Sequence, residues 1–377
     1  MARFGSSLSS RRTKNLGTTL ICGHHSQESL RTERLQTMRQ VKPVALAVLL
    51  FALSLQCSLA ALAAAGIDQT ATVSADQSDA KPRNVDLAQP EITNLIGMKL
   101  VLFPAGKFTM GSPKDEQGRD EDEEQHEVEI TRAFYLGKCE VTMGQFRSFA
   151  RDSDYRTEPE RDGSGGSGYS EQAGLWKLEG RRPQYSWKDT GFPQSEDHPV
   201  LNVTWNDAIA FCDWLSHKER RKYRLPTEAE WEYGCRAKTT TRYYSGNDEA
   251  SLAHVANVAD TSAKTKFPSL RATTSHEDGY AFTAPVGELR SNAFGLHDMH
   301  GNLWEWCADW YEADYYKNCP RQDPLGPTTG ITRVARSGCW NEGSRTCRSA
   351  DRSKGIPSYR SSGVGFRVVL TIPAADR

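Results

Sequence analysis

The chain has 377 residues, a formal net charge of -1 and 25% charged residues, so it carries no basic footprint of the kind that binds nucleic acid. Nine tryptophans and 30 glycines point to a loop-rich globular body with large aromatic anchors and speak against a helical bundle. Of the nine cysteines, seven lie beyond residue 100, an odd number that leaves at least one unpaired within a monomer.

Pro43 to Ile67 contains no charged residue, and Val44–Leu55 is almost wholly apolar. Arg39 and Lys42 precede it and the small residues Ala60–Gly66 follow, the layout of a signal peptide that begins at Met38. Residues 1–37 then read as a non-native N-terminal extension. The segment 38–66 is a cleaved signal peptide or a retained membrane anchor, since about 20 apolar residues span a bilayer. Both place the rest of the chain outside the cytoplasm, where disulfides persist. Residues 67–94 are rich in Asp, Ala, Ser, Thr and Gln and read as a disordered linker, with order beginning near Leu95.

Residues 98–111 alternate apolar and polar residues around Pro104-Ala-Gly106, which predicts a β-hairpin. The acidic run 115–124 reads as a solvated loop, and 126–130 as a strand. Thr142 begins a helix with Phe146 and Phe149 on one face. Residues 158–170 read as an exposed insertion. Its Gly163-Ser-Gly-Gly-Ser-Gly168 matches a dinucleotide fingerprint only formally, for no strand precedes it and no apolar helix follows. The segment 206–217 is an amphipathic helix burying Ala210, Phe211, Trp214 and Leu215. A further helix starts at the capping box of Thr227 and Glu230. Beyond Ala237 short strands and Gly/Pro turns dominate, and the whole is one α+β domain over residues 95–372.

Several distinctive blocks follow one another along the chain: Phe108-Thr-Met-Gly-Ser112, Glu140-Val-Thr142, His198-Pro-Val200, Arg224-Leu-Pro-Thr-Glu-Ala-Glu-Trp-Glu-Tyr233 and Thr283-Ala-Pro-Val286. They continue into Asn292-Ala-Phe-Gly-Leu-His-Asp-Met-His-Gly-Asn-Leu-Trp-Glu-Trp306 and into 333–367, with Arg-Val-Ala-Arg-Ser-Gly-Cys-Trp at its start and Gly-Phe-Arg at its end. Together they resemble the sulfatase-modifying-factor family, whose best-known members are the formylglycine-generating enzymes. The resemblance implies an irregular, loop-rich C-type lectin-like fold.

It also implies two structural calcium sites. One would take Asp298, Gly301, Leu303 and Glu305, where carboxylates alternate with backbone carbonyls as hard-oxygen ligation requires. The other would take side-chain oxygens from Asn257 and Asp278 and carbonyls from Val258 and Tyr280. Without the resemblance, Glu305 reads as an ion-pair partner between two tryptophans and Asp278-Gly279 as an ordinary turn. His297 and His300 have no third nitrogen or sulfur ligand nearby to complete a zinc site.

Family oxidases convert a sulfatase cysteine in a C-x-P-x-R motif to formylglycine with molecular oxygen, using copper(I) held by two cysteines spaced C-x-x-x-x-C. Soft thiolates suit that ion. Here the turn is Ser337-Gly-Cys339-Trp340, Glu342 stands at the first cysteine position, and Cys347 falls on the second. The resemblance thus implies a candidate catalytic set of Cys347, Cys339 and Trp304, the last matching an active-site tryptophan of the family. Cys339 and Cys347 read alternatively as a disulfide or as buried packing residues. Two functions follow: an exported oxidase acting on a sulfatase polypeptide with copper, or a non-catalytic module of the same fold that recognises an extracytoplasmic protein, peptide or glycan. In either case the expected form is a monomer, with membrane contact only through an uncleaved apolar segment. The long polar loop 152–195 is the expected specificity element.

Overall fold

The computed structural model describes residues 89–270, 274 and 277–373. The proposed N-terminal extension, the signal or anchor segment and most of the linker lie outside them. Chain order begins earlier than Leu95. Strand β1 (Glu91–Thr93) pairs antiparallel with β2 (Lys99–Phe103), and Ile92 supplies the reason: its side chain is buried in the main core.

The predicted hairpin over 98–111 does not form. β2 pairs with β1 and β5 (Phe134–Gly137), whereas β3 (Gly106–Met110) pairs with β4 (His126–Ile130) in a separate two-stranded sheet. Pro104 lacks the N–H that a continuing ladder would need, and the chain changes sheet there. The acidic run is not wholly solvated either. Glu123 is fully buried against Arg348, at 2.6 and 2.7 Å.

Helix α1 (Met143–Ser153) starts at Thr142, whose hydroxyl accepts from the Gln145 N–H while the Gln145 side chain caps Thr142 in return. This reciprocal box accounts for two N–H groups that a helix start leaves without partners. Phe146 and Phe149 are buried as expected. After the short helix α2 (Glu158–Arg161) come β6 (Gly166–Gln172) and β7 (Leu175–Arg182), an antiparallel pair. The segment read as an exposed insertion is thus partly interior. Gly168 is where a side chain cannot be accommodated, because a Cβ there would lie 2.1 Å from the Tyr185 ring. The glycine run serves close packing.

Helix α3 (Trp205–Glu219) buries Phe211 and Leu215, with Ala210 and Trp214 half-buried on its flank. The edge strand β8 (Tyr223–Arg224) leads to α4 (Glu228–Arg236), capped by Thr227 and Glu230. α5 (Thr261–Lys266) is a short turn of helix. The remaining strands are β9 (Trp304–Trp310), β10 (Arg333–Arg336), β11 (Ser353–Gly355), β12 (Val364–Gly365) and β13 (Val369–Thr371).

Two larger sheets result, with orders β1-β2-β5-β13-β8 and β11-β10-β9-β12. The C-terminal segment joins them. β12 runs parallel to β9, with Gly365 beside Glu305, and β13 enters the five-stranded sheet between β5 and β8. Arg367 sits at that crossing, fully buried. The architecture is the α+β, loop-rich arrangement that the sequence implies.

Candidate calcium and thiol sites

The crossing point gathers charge. Arg367 donates to both carboxylate oxygens of Glu305, at 2.5 and 2.6 Å, and to the backbone carbonyls of Gly137 and His297 at 3.1 Å. The Trp231 indole N–H donates to Glu305 Oε2 at 2.9 Å. Both oxygens of Glu305 are therefore engaged, the ion-pair reading that the sequence held open.

The residues with free oxygens stand beside it. Asp298 accepts from the Gly287 N–H at 2.8 Å through Oδ2, but its buried Oδ1 has no partner. Glu140 accepts from the Asn302 amide at 3.0 Å through Oε1, and its buried Oε2 likewise has none. Burial, followed by the charges of Asp298 and Glu305, pushes the Glu140 carboxyl well above the usual range. Burial raises Asp298 as well. Two fully buried acids with unused oxygens, close enough to perturb each other, are a donor set that a hard divalent cation suits.

Asp298 thus fits calcium through its free oxygen, and Glu140 joins it as a residue that the linear spacing could not reveal. Gly301 contributes conformation: its φ is +76° and a Cβ would lie 2.1 Å from the Asn257 carbonyl oxygen. The backbone there approaches Asn257 closely, and the Asn302 N–H donates to Asn257 O at 2.7 Å. Leu303 is buried in an aromatic cluster. Above Glu140 a cleft of about 440 Å³ opens to solvent, lined by Cys139, Thr142, Gln145, Asp197 and His297.

The second expected set is also assembled. Asp278 accepts from the N–H groups of Val258 and Tyr280, at 2.9 and 2.8 Å, which ties the Val258 segment to the 278–280 turn. Asp260 faces it and accepts from the Asp278 N–H at 2.7 Å. Burial, and then the neighbouring Asp260 charge, raises the Asp278 carboxyl to about 7. Asn257 donates to Phe282 O and to Asn302 Oδ1, leaving its buried Oδ1 without a partner. A paired acid and an orphaned amide oxygen fit calcium. The Asn257–Asn302 contact links this set to the first.

His300 is buried and neutral, its pKa lowered to about 3 by burial, and its Nε2 accepts from the Tyr244 N–H at 2.9 Å. It stabilises a loop and offers no metal ligand.

The thiols are arranged differently. Cys339 and Cys347 are 2% and 0% exposed and carry separate thiols. Cys339 Sγ donates to Asn341 Oδ1 at 3.0 Å. Burial drives both thiols well above their ordinary values, and the Glu342 carboxylate, within reach of Cys339, pushes both further. Copper(I) needs thiolates. The C-x-x-x-x-C donor pair is incomplete, since Glu342, a hard oxygen ligand, stands at one of its two places, so the residues present do not fit two-thiolate copper(I) ligation.

Trp340 is 1% exposed. Tyr169, Phe192, Phe267 and Phe282 surround its ring at centroid distances of 5.4 to 5.8 Å, and its indole N–H donates to Ser362 O at 3.0 Å. The Asn341 amide donates to Tyr169 Oη at 3.1 Å. Strand β6 therefore roofs the Cys339–Trp340 turn, which the fold does not present to solvent. Trp304, also buried, belongs to the main core.

A family model for the sulfatase-modifying factor enzyme 1-like domain matches residues 87–372. The chain belongs to this family. Among its sulfatase-modifying-factor relatives, the formylglycine-generating enzyme of Streptomyces coelicolor is 35% identical over 289 residues, covering 71% of this chain and 87% of that enzyme. The mouse (Mus musculus) formylglycine-generating enzyme is 33% identical over 347 residues, covering 85% and 89%. Of solved structures, PvdO from Pseudomonas aeruginosa aligns with a TM-score of 0.60 and 29% identity, over 75% of this chain and 99% of that one. The sulfatase-modifying-factor fold expected from the ordered motifs is thereby established.

Proposed function

We propose that this chain is an extracytoplasmic, calcium-braced member of the sulfatase-modifying-factor family that binds a protein, peptide or glycan and does not itself oxidise cysteine. The observation that carries this reading is Glu342. It occupies the place of the first copper-binding cysteine, and its carboxylate raises the thiols of Cys339 and Cys347. Burial of both thiols supports the same reading, because a substrate cysteine must reach the metal. The apolar stretch before residue 67 and the alanine-rich run at its end support export.

A second reading, oxidation of a sulfatase cysteine to formylglycine, is favoured by identities of 35% and 33% to formylglycine-generating enzymes across most of the domain. Competition titration of copper(I) against a chromogenic chelator separates the two. The proposal expects substoichiometric copper uptake that Cys347→Ser leaves unchanged. Stoichiometric binding lost in Cys347→Ser would support the oxidase instead.

A further inference from the structure

The hairpin that roofs Trp340 has two unlike edges. The β6 edge is covered: the Gly166 N–H donates to Tyr185 O at 2.7 Å and the Tyr169 N–H to Thr190 O at 3.0 Å. Among the described residues no strand pairs with the outer edge of β7, although α5 packs near this strand. Among the described residues, no backbone group of 175–181 bonds outside the hairpin, and the sheet stops at two strands. Leu175 and Leu178 are 48% and 53% exposed on this strand.

Charge on the open edge is mainly positive, with Glu179 as the one acid on the strand. Lys177, Arg181 and Arg182 are exposed, and none forms an ion pair among the described residues. Glu179 lies among them, accepts from the Tyr185 hydroxyl at 2.7 Å and keeps its negative charge, which Arg182 and Lys177 favour. Lysines on an edge strand commonly prevent unwanted pairing. Three cations of like sign do so selectively: they repel a second copy of β7 and any basic strand, and they attract an acidic one. The anchorage is firm, since Tyr169 and Trp176 fix the hairpin in the aromatic cluster around Trp340 and Phe282.

We infer that the outer edge of β7 is a docking site for an extended, acidic polypeptide segment, which adds as a third strand with Leu178 contacting its apolar face and Leu175 on the opposite face of the sheet. This rests on the binding-module reading and names its partner class. Main-chain hydrogen bonds would supply affinity and the cations selectivity.

The probe is a fluorescent (Glu-Val)4 peptide titrated against the full chain by anisotropy at low salt. It contains no cysteine, so its result is independent of any oxidase activity. Binding is expected to fall at least tenfold in the Lys177→Glu, Arg181→Glu double variant and when alternate peptide nitrogens are methylated, and (Lys-Val)4 is expected not to bind. These side chains are exposed, so the variant retains the wild-type melting temperature. Equal binding by the methylated peptide, equal binding by the charge-reversed variant, or no binding of (Glu-Val)4 to the wild type would each overturn the inference. Copper uptake in the titration above would overturn only the non-catalytic reading, so the two failures are told apart.

Discussion

Arg367 holds Glu305 through both carboxylate oxygens at the point where the C-terminal segment passes from one large sheet to the other. The pair is fully buried, and the remaining guanidinium N–H groups go to backbone carbonyls. Such a pair is costly to desolvate, but far costlier to leave half made. Arg367→Ala should therefore destabilise the domain by about 3–5 kcal/mol. It should also alter the fluorescence of Trp231, whose indole N–H shares the same carboxylate. Chemical denaturation followed by tryptophan emission checks both, and a near-wild-type midpoint would contradict the role assigned to the pair.

Calcium should stabilise the fold by mass action, since only the native state assembles the ligands. Saturation at a hundred times Kd corresponds to about 2.7 kcal/mol per site. Chelation with EDTA is expected to lower Tm, and Asp298→Asn combined with Glu140→Gln should remove the part of that response due to the first site. Arg367 already occupies Glu305, so removing the two acids with free oxygens is the sharper intervention. Identical melting curves with and without chelator would exclude both sites.

The pH dependence of stability has a defined sign at Asp309. Burial, and then the charge of Glu228, raises this carboxyl to about 8 from an ordinary 3.8, although it accepts from the Glu228 N–H at 2.8 Å. Between those values the folded state binds a proton that the unfolded state has released. The contribution is fully present below about 4 and is lost as pH rises through about 8, at up to about 1.4 kcal/mol per pH unit. Asp309→Asn keeps an acceptor for the Glu228 N–H and cannot ionise, so it should flatten this decline. Denaturation midpoints measured from pH 4 to 9 give the comparison; parallel curves for wild type and variant would contradict it.

These sites were unequally legible in the sequence. The caps at Thr142 and Thr227 were readable because the partner lies three residues away and the chemistry is local. The family motifs ordered the chain correctly for the same reason. Glu140 was not readable as a partner of Asp298, because only the fold closes a separation of more than 150 residues. The alternation over 98–111 marked two real strands but not their partners, since pairing depends on where the chain turns after Pro104. The glycines of 163–168 suggested exposure, whereas their lack of side chains is what lets β6 pack against Tyr185 and Asn202. Likewise, spacing placed Cys347 at a copper position. Its burial, which raises the thiol, is a tertiary fact, whereas Glu342 at the other cysteine place was visible in the sequence.

The central question is whether this chain oxidises cysteine. Its most direct test is mass spectrometry of a C-x-P-x-R peptide incubated with the purified protein, copper(I) and oxygen, beside the Streptomyces coelicolor enzyme as a positive control. An unchanged thiol peptide is expected where the control yields the aldehyde. Turnover to formylglycine by this chain, abolished in Cys347→Ser, would contradict that expectation.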